Sequence, residues 1–121
     1  MSSQLELGPD TRLNANAALI LAFTVVVLTA AAAVDLPANG GAKPYGVTQE
    51  DIAIGAYGAI KGVTQPGSFM IRTAVATVAN TDYSINASGV VVAIAGSPND
   101  VARVRAVRNA ASGVTNEFIF V

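Results

Sequence analysis

The chain has 121 residues with no cysteine and no histidine, which excludes disulfide frameworks, thiol or histidine catalysis, and zinc sites built from soft ligands. Apolar residues make up 52% and charged residues 12%, and the net charge of −1 with a pI near 5.1 provides no basic surface of the kind nucleic acid requires. That balance predicts one domain that buries part of its exterior against copies of itself or a partner.

Residues 1–16 are polar, broken at Gly8-Pro9, and lack the periodicity of a packed element. They are expected to form an N-terminal arm, held by a neighbouring chain through Leu5 and Leu7, ahead of a single β-rich domain over residues 17–121.

Residues 17–34 contain no charge, no Gly and no Pro, and they admit three readings. A membrane span needs about 20 apolar residues. Residues 15–34 are long enough, but they are rich in alanine, include Thr24 and Thr29, and lack flanking basic anchors. A signal peptide would find a cleavage site at Ala31-Ala32-Ala33, but Glu6 and Asp10 give the preceding region the wrong sign. The third reading, preferred here, makes 23–29 a strand, because its β-branched residues suit a pleated surface. Thr24, Val26 and Leu28 then face one way, and Phe23, Val25, Val27 and Thr29 the other. Both faces would be covered, by the chain's own core or by a neighbouring subunit. Residues 15–22 could be helical instead, as Ala and Leu favour helices.

Residues 35–44 read as a loop around Pro37 and Asn39-Gly40-Gly41, followed by a short strand at 45–47. The carboxylates in Gln49-Glu50-Asp51 read as a polar turn, since no further acidic residue stands at a spacing that would hold a hard cation. Residues 55–62 hold several glycines without phosphate-loop order, and Gln65-Pro66-Gly67-Ser68 is a turn. Residues 69–78 alternate, with Phe69, Ile71, Thr73 and Val75 on one face and Met70, Arg72 and Ala74 on the other. A hairpin follows, with strands at 83–85 and 90–95 around the turn Asn86-Ala87-Ser88-Gly89. Residues 101–111 follow a helix-start pattern at Ser97-Pro98 with Asp100, yet 101–107 also alternate as a strand would, with Ala102, Val104 and Ala106 inward; the strand is preferred. Arg103, Arg105 and Arg108 cluster there as a solvated strand edge or an interface, and 117–121 is a final strand. A faint internal repeat relates 45–61 to 105–121, with Gly55 and Gly113 in matching places. Several short strands between turn signals predict a mainly β fold, a small β-sandwich or barrel with an extended N-terminal arm.

This order of features resembles the small head decoration, or cement, proteins of tailed bacteriophages. The resemblance runs from about Leu28 onward. It includes the alanine-rich strand and Pro-Gly loop (36–41), the Gly-Val-x-x-x-Asp-like segment (46–51), the Gly-led strand (55–60), the Ser/Asn-Gly-Val hairpin (88–92) and a terminal repetition of the unit (105–121). It implies a structural virion protein and not an enzyme. Such a protein resides in the host cytoplasm before assembly and then binds the major capsid protein on the outer face of the assembled head. It does so as a homotrimer, or alternatively a dimer, with no cofactor, no metal, no nucleic acid and no membrane. The candidate interface residues are Leu5, Leu7, Arg103, Arg105 and Arg108. One rival is a membrane-anchored or secreted small β-domain with residues 19–34 as anchor. Another is a small hydrolase using Glu50, Asp51 and Lys61.

Overall fold

A computed structural model describes residues 10–38, 43–94 and 102–121. Among the described residues there is no helix, and ten strands follow one another. They are β1 (Asp10–Leu13), β2 (Val25–Leu28), β3 (Val34–Asp35), β4 (Gly46–Thr48), β5 (Tyr57–Gly62), β6 (Phe69–Arg72), β7 (Asp82–Ile85), β8 (Val91–Val92), β9 (Arg103–Ala106) and β10 (Thr115–Phe120). They form two five-stranded antiparallel sheets, one from each half of the chain, in agreement with the small sandwich or barrel that the strand pattern predicts.

The two sheets share one topology. The first runs β1-β5-β4-β2-β3 and the second β6-β10-β9-β7-β8, so each half has the order first, fifth, fourth, second, third. Each sheet also curls until its outer strands meet, through parallel bridges Asn14–Val34 in the first half and Thr73–Val91 in the second. A second bridge ties the connecting loops, Ile20–Ile52 in the first half and Thr77–Ala110 in the second. The internal repeat therefore covers the whole ten-strand fold, with β6 to β10 answering β1 to β5; residues 45–61 are answered by 103–119, two residues before the expected 105–121, because Gly46–Gly62 pairs as Val104–Phe120 does.

Two apolar clusters fill the interior. One lies within the first sheet and contains Ile20, Val26, Val34, Ile52 and Ile60. The larger one belongs to the second sheet, with Phe69, Ile71, Tyr83, Ile85, Val91, Val104 and Phe118, and it also takes in Val25 and Val47 from the first. The start of strand β2 thus has both faces covered by its own chain, Val26 pointing into the first cluster and Val25 into the second, whereas Leu28 at its end is 44% exposed, so the expected cover does not run the length of the strand.

Several expectations need correction. The boundary placed after residue 16 falls inside the fold, because Asp10–Leu13 pairs with β5 from Asp10–Ile60 to Leu13–Tyr57, which satisfies the backbone groups on that side of the strand. Leu5 and Leu7 lie outside the described residues. Residues 15–22 are not helical: buried Asn14 holds this loop by donating to the carbonyls of Ala18 (3.0 Å) and Ile52 (2.8 Å). Strand β6 ends at Arg72 rather than 78: Thr73 still donates to the Val114 carbonyl just before β10, at 3.0 Å, but it also bridges Val91 at the opposite edge. Within 101–111, Arg103–Ala106 is the strand, with Val104 and Ala106 buried and Arg103 and Arg105 outward, so the strand reading holds for those four residues.

Candidate functional site

The outward face of the second sheet gathers two of the three arginines singled out from sequence. Alternation along β9 turns Val104 and Ala106 into the core and leaves Arg103 and Arg105 outside. Arg105 stands opposite Asp82 on β7 and opposite Ile119 on β10. Its Nε donates to Asp82 Oδ1 at 2.7 Å. That hydrogen bond is the main reason the Asp82 carboxyl lies below its ordinary range, with Arg103 adding positive potential nearby. Arg108 is past the end of β9; its Nε reaches Glu117 Oε1 at 2.9 Å. The Ser68 hydroxyl also donates to Glu117, and it leads Arg108 in holding that carboxyl below its usual range.

Exposed apolar side chains stand beside these ion pairs. Met70 stands opposite Glu117, and Ile119 stands opposite Arg105, on the same face. Met70 is 44% exposed and Ile119 37%. Further exposed apolar groups sit in the connecting segments: Leu19, Leu21 and Ile54 in the first half, Val78, Val107 and Val114 in the second. Single exposed apolar residues are ordinary on protein surfaces. Met70 and Ile119 stand together on one sheet face beside charged groups; docking surfaces are commonly apolar at the centre and polar at the rim. Sequence reading found the arginines and missed Met70 and Ile119; the signal was the 69–72 alternation, which already put Met70 opposite the core-facing residues.

A second polar constellation lies on the first sheet. Arg12 Nε donates to Asp10 Oδ1 at 3.1 Å, and its Nη2 donates to the Tyr45 hydroxyl at 3.1 Å. The Tyr45 hydroxyl in turn donates to Asp10. Burial first, then the hydrogen bond to Asp10, pushes the Tyr45 hydroxyl above its usual value. Burial disfavours the Arg12 cation, but the hydrogen bonds to Asp10 and Tyr45 outweigh it.

The residues of the hydrolase reading are engaged in the scaffold. Glu50 accepts the Ala59 N–H at 2.9 Å, and Asp51 accepts the Ala22 N–H at 2.7 Å. Lys61 donates to the Ser68 carbonyl at 2.6 Å and lies over the Phe69 ring, 4.5 Å from its centroid. No group of three or more acidic, His or Cys side chains among the described residues could hold a metal ion. Residues 19–34 contribute β2, β3 and the Ile20 bridge, and among the described residues no helix is long and apolar enough to cross a membrane. No family model matches the chain, and no curated protein matches it significantly.

Proposed function

We propose that the chain is a structural cement protein, a homotrimer that binds the outer face of a phage head and strengthens contacts between capsomers. The observation that carries this reading is the exposed apolar surface on a chain with few charges. Met70 and Ile119 face outward beside the Asp82–Arg105 and Arg108–Glu117 pairs, and the connecting segments add Leu19, Leu21, Ile54 and Val78. A monomer with 7 basic and 8 acidic residues in 121 has little else to keep such surface in water. Burial against a shell stabilises at about 25 cal/mol per Å² of apolar area. The sequence resemblance supplies the partner class.

The test has two stages. Native mass measurement of the purified chain should give a trimer; a lone monomer at micromolar concentration counts against the reading. Co-sedimentation with expanded heads stripped of decoration should then show binding to the shell exterior. Met70→Glu with Ile119→Glu, both at exposed positions, should leave folding intact and weaken shell binding on the order of tenfold or more. Unchanged binding by that variant removes the second sheet's outer face as the contact.

A further inference from the structure

The two halves are copies of one unit joined head to tail, and the outer ends of the pair differ from the joint between them. Besides strand order and bridges, matching residues adopt left-handed backbone: Phe23 and Asn80, Ala32 and Gly89, Gly55 and Gly113. Matching side chains hold matching loops, since Asp51 accepts the Ala22 N–H at 2.7 Å and Asn109 the Ala79 N–H at 2.8 Å.

At the joint, the start of β2 lies across the opening between β6 and the β7–β8 turn. The Phe23 carbonyl accepts the Arg72 N–H at 2.9 Å, and the Val25 N–H donates to the Gly89 carbonyl at 2.9 Å. Val25 and Val47 are fully buried in one cluster with Phe69 and Ile71. The approach is so close that a Cβ on Gly89 would stand 2.3 Å from the Val25 carbonyl oxygen.

The corresponding edge of the first unit lies between Leu13 and the β2–β3 turn, and its residues differ. Gly89 is answered by Ala32, which carries the Cβ that at Gly89 would stand 2.3 Å from the docked Val25 carbonyl oxygen. The Ala32 carbonyl accepts Arg12 Nη1 at 3.2 Å, where the Gly89 carbonyl accepts a strand N–H. Phe69 and Ile71 are answered by Asp10 and Arg12, paired at 3.1 Å. At the far end of the second unit, Val25 and Val47 are answered by Asp82 and Arg105, paired at 2.7 Å.

We infer that the chain carries a latent strand-docking joint for a second copy of itself, kept closed by Ala32 and the Asp10–Arg12 pair at one end and by the Asp82–Arg105 pair at the other. Head-to-tail interfaces that do not close a ring grow without limit, and repeat arrays end in units with polar outer faces. Docking through these ends would strip water from two ion pairs, which opposes association. The inference does not rest on shell binding, and it directs any trimer to other surfaces.

The test uses two complementary full-length variants. One opens the acceptor (Asp10→Phe, Arg12→Ile, Ala32→Gly), and the other opens the donor (Asp82→Val, Arg105→Val). In sedimentation velocity each variant alone should match the unaltered chain, while an equimolar mixture should form an added one-to-one complex. A mixture that sediments as the sum of its parts overturns the inference. Should an opened variant fail to fold, single glycine exchanges decide. Gly89→Ala should lower Tm by roughly 5 °C or more, and Ala32→Gly by far less. Ala32 already tolerates a left-handed φ of 63°, so φ alone does not forbid alanine at Gly89. Equal effects of the two exchanges overturn the inference as well. Neither measurement involves a capsid, so its failure is distinct from that of the shell-binding reading.

Discussion

Gly58 leaves room for another residue rather than for itself. A Cβ there would stand 2.3 Å from Ile52 Cγ1 and 2.5 Å from its Cδ1. The second unit solves the same spot with the volumes exchanged. Asn116 answers Gly58, Ala110 answers Ile52, and Asn116 Nδ2 donates to Thr77 Oγ1 at 2.9 Å and to the Arg108 carbonyl at 2.7 Å. One unit thus packs isoleucine against glycine, and the other spans the gap with a satisfied amide. Gly58→Ala should therefore destabilise by about 1–3 kcal/mol through overpacking. In an Ile52→Ala background that loss should shrink, giving a coupling of at least about 0.5 kcal/mol in urea unfolding. Strict additivity would mean that the two positions do not compete for space. Phe118, fully buried at the centre of the larger cluster, offers the opposite case. Phe118→Ala leaves a cavity and should cost about 3–5 kcal/mol by the same measurement.

At the scale of elements, β7, β9 and β10 are tied across their outer face by carboxylates whose native pKa values are depressed. Asp82 is held down by the Arg105 hydrogen bond, and Glu117 by the Ser68 hydroxyl and Arg108. The native state therefore binds these protons less readily than the unfolded chain. Their contribution is fully present above the unfolded carboxylate values near 4 and is lost as pH falls through the lower native ones. Unfolding free energy measured by urea titration should decline below about pH 4, and Asp82→Asn should flatten part of that decline. Because both groups are solvent-accessible, added salt should weaken the effect. The same strands show how much of the fold could be read in advance. The 69–72 and 103–106 alternations identify the inward residues, because each strand has one buried face and a period of two. The reach of the repeat was hidden, because counterpart residues exchange apolar for charged character: Val25 for Asp82, Val47 for Arg105, Phe69 for Asp10. The Arg12 site was hidden because Tyr45 comes to it from 33 residues away, a contact that no local spacing encodes.

For the whole molecule, the joint decides whether two units behave as one. Ile20, Val26, Val34, Ile52 and Ile60 form a small cluster within the first unit, whereas the larger cluster is completed only when Val25 and Val47 cross over from it. The second unit thus depends on the first for part of its apolar cover, while the first keeps a core of its own. Lys61 reinforces the dependence, since it reaches over the Phe69 ring and bonds the Ser68 carbonyl. Unfolding of the natural chain should then be a single cooperative transition. Val25→Asp with Val47→Arg writes the outer-end pair of the second unit into the joint. In place of two fully buried valines it sets an ion pair against Phe69 and Ile71, where the low-dielectric surroundings make desolvation expensive. The variant should lose on the order of 3 kcal/mol or more. Amide exchange should show β6 to β10 losing protection while the first unit's Val26 and Ile60 retain theirs. If protection instead falls equally in both halves, the dependence runs both ways and the first unit's cluster does not stand alone. If neither half changes, Val25 and Val47 are not what joins them.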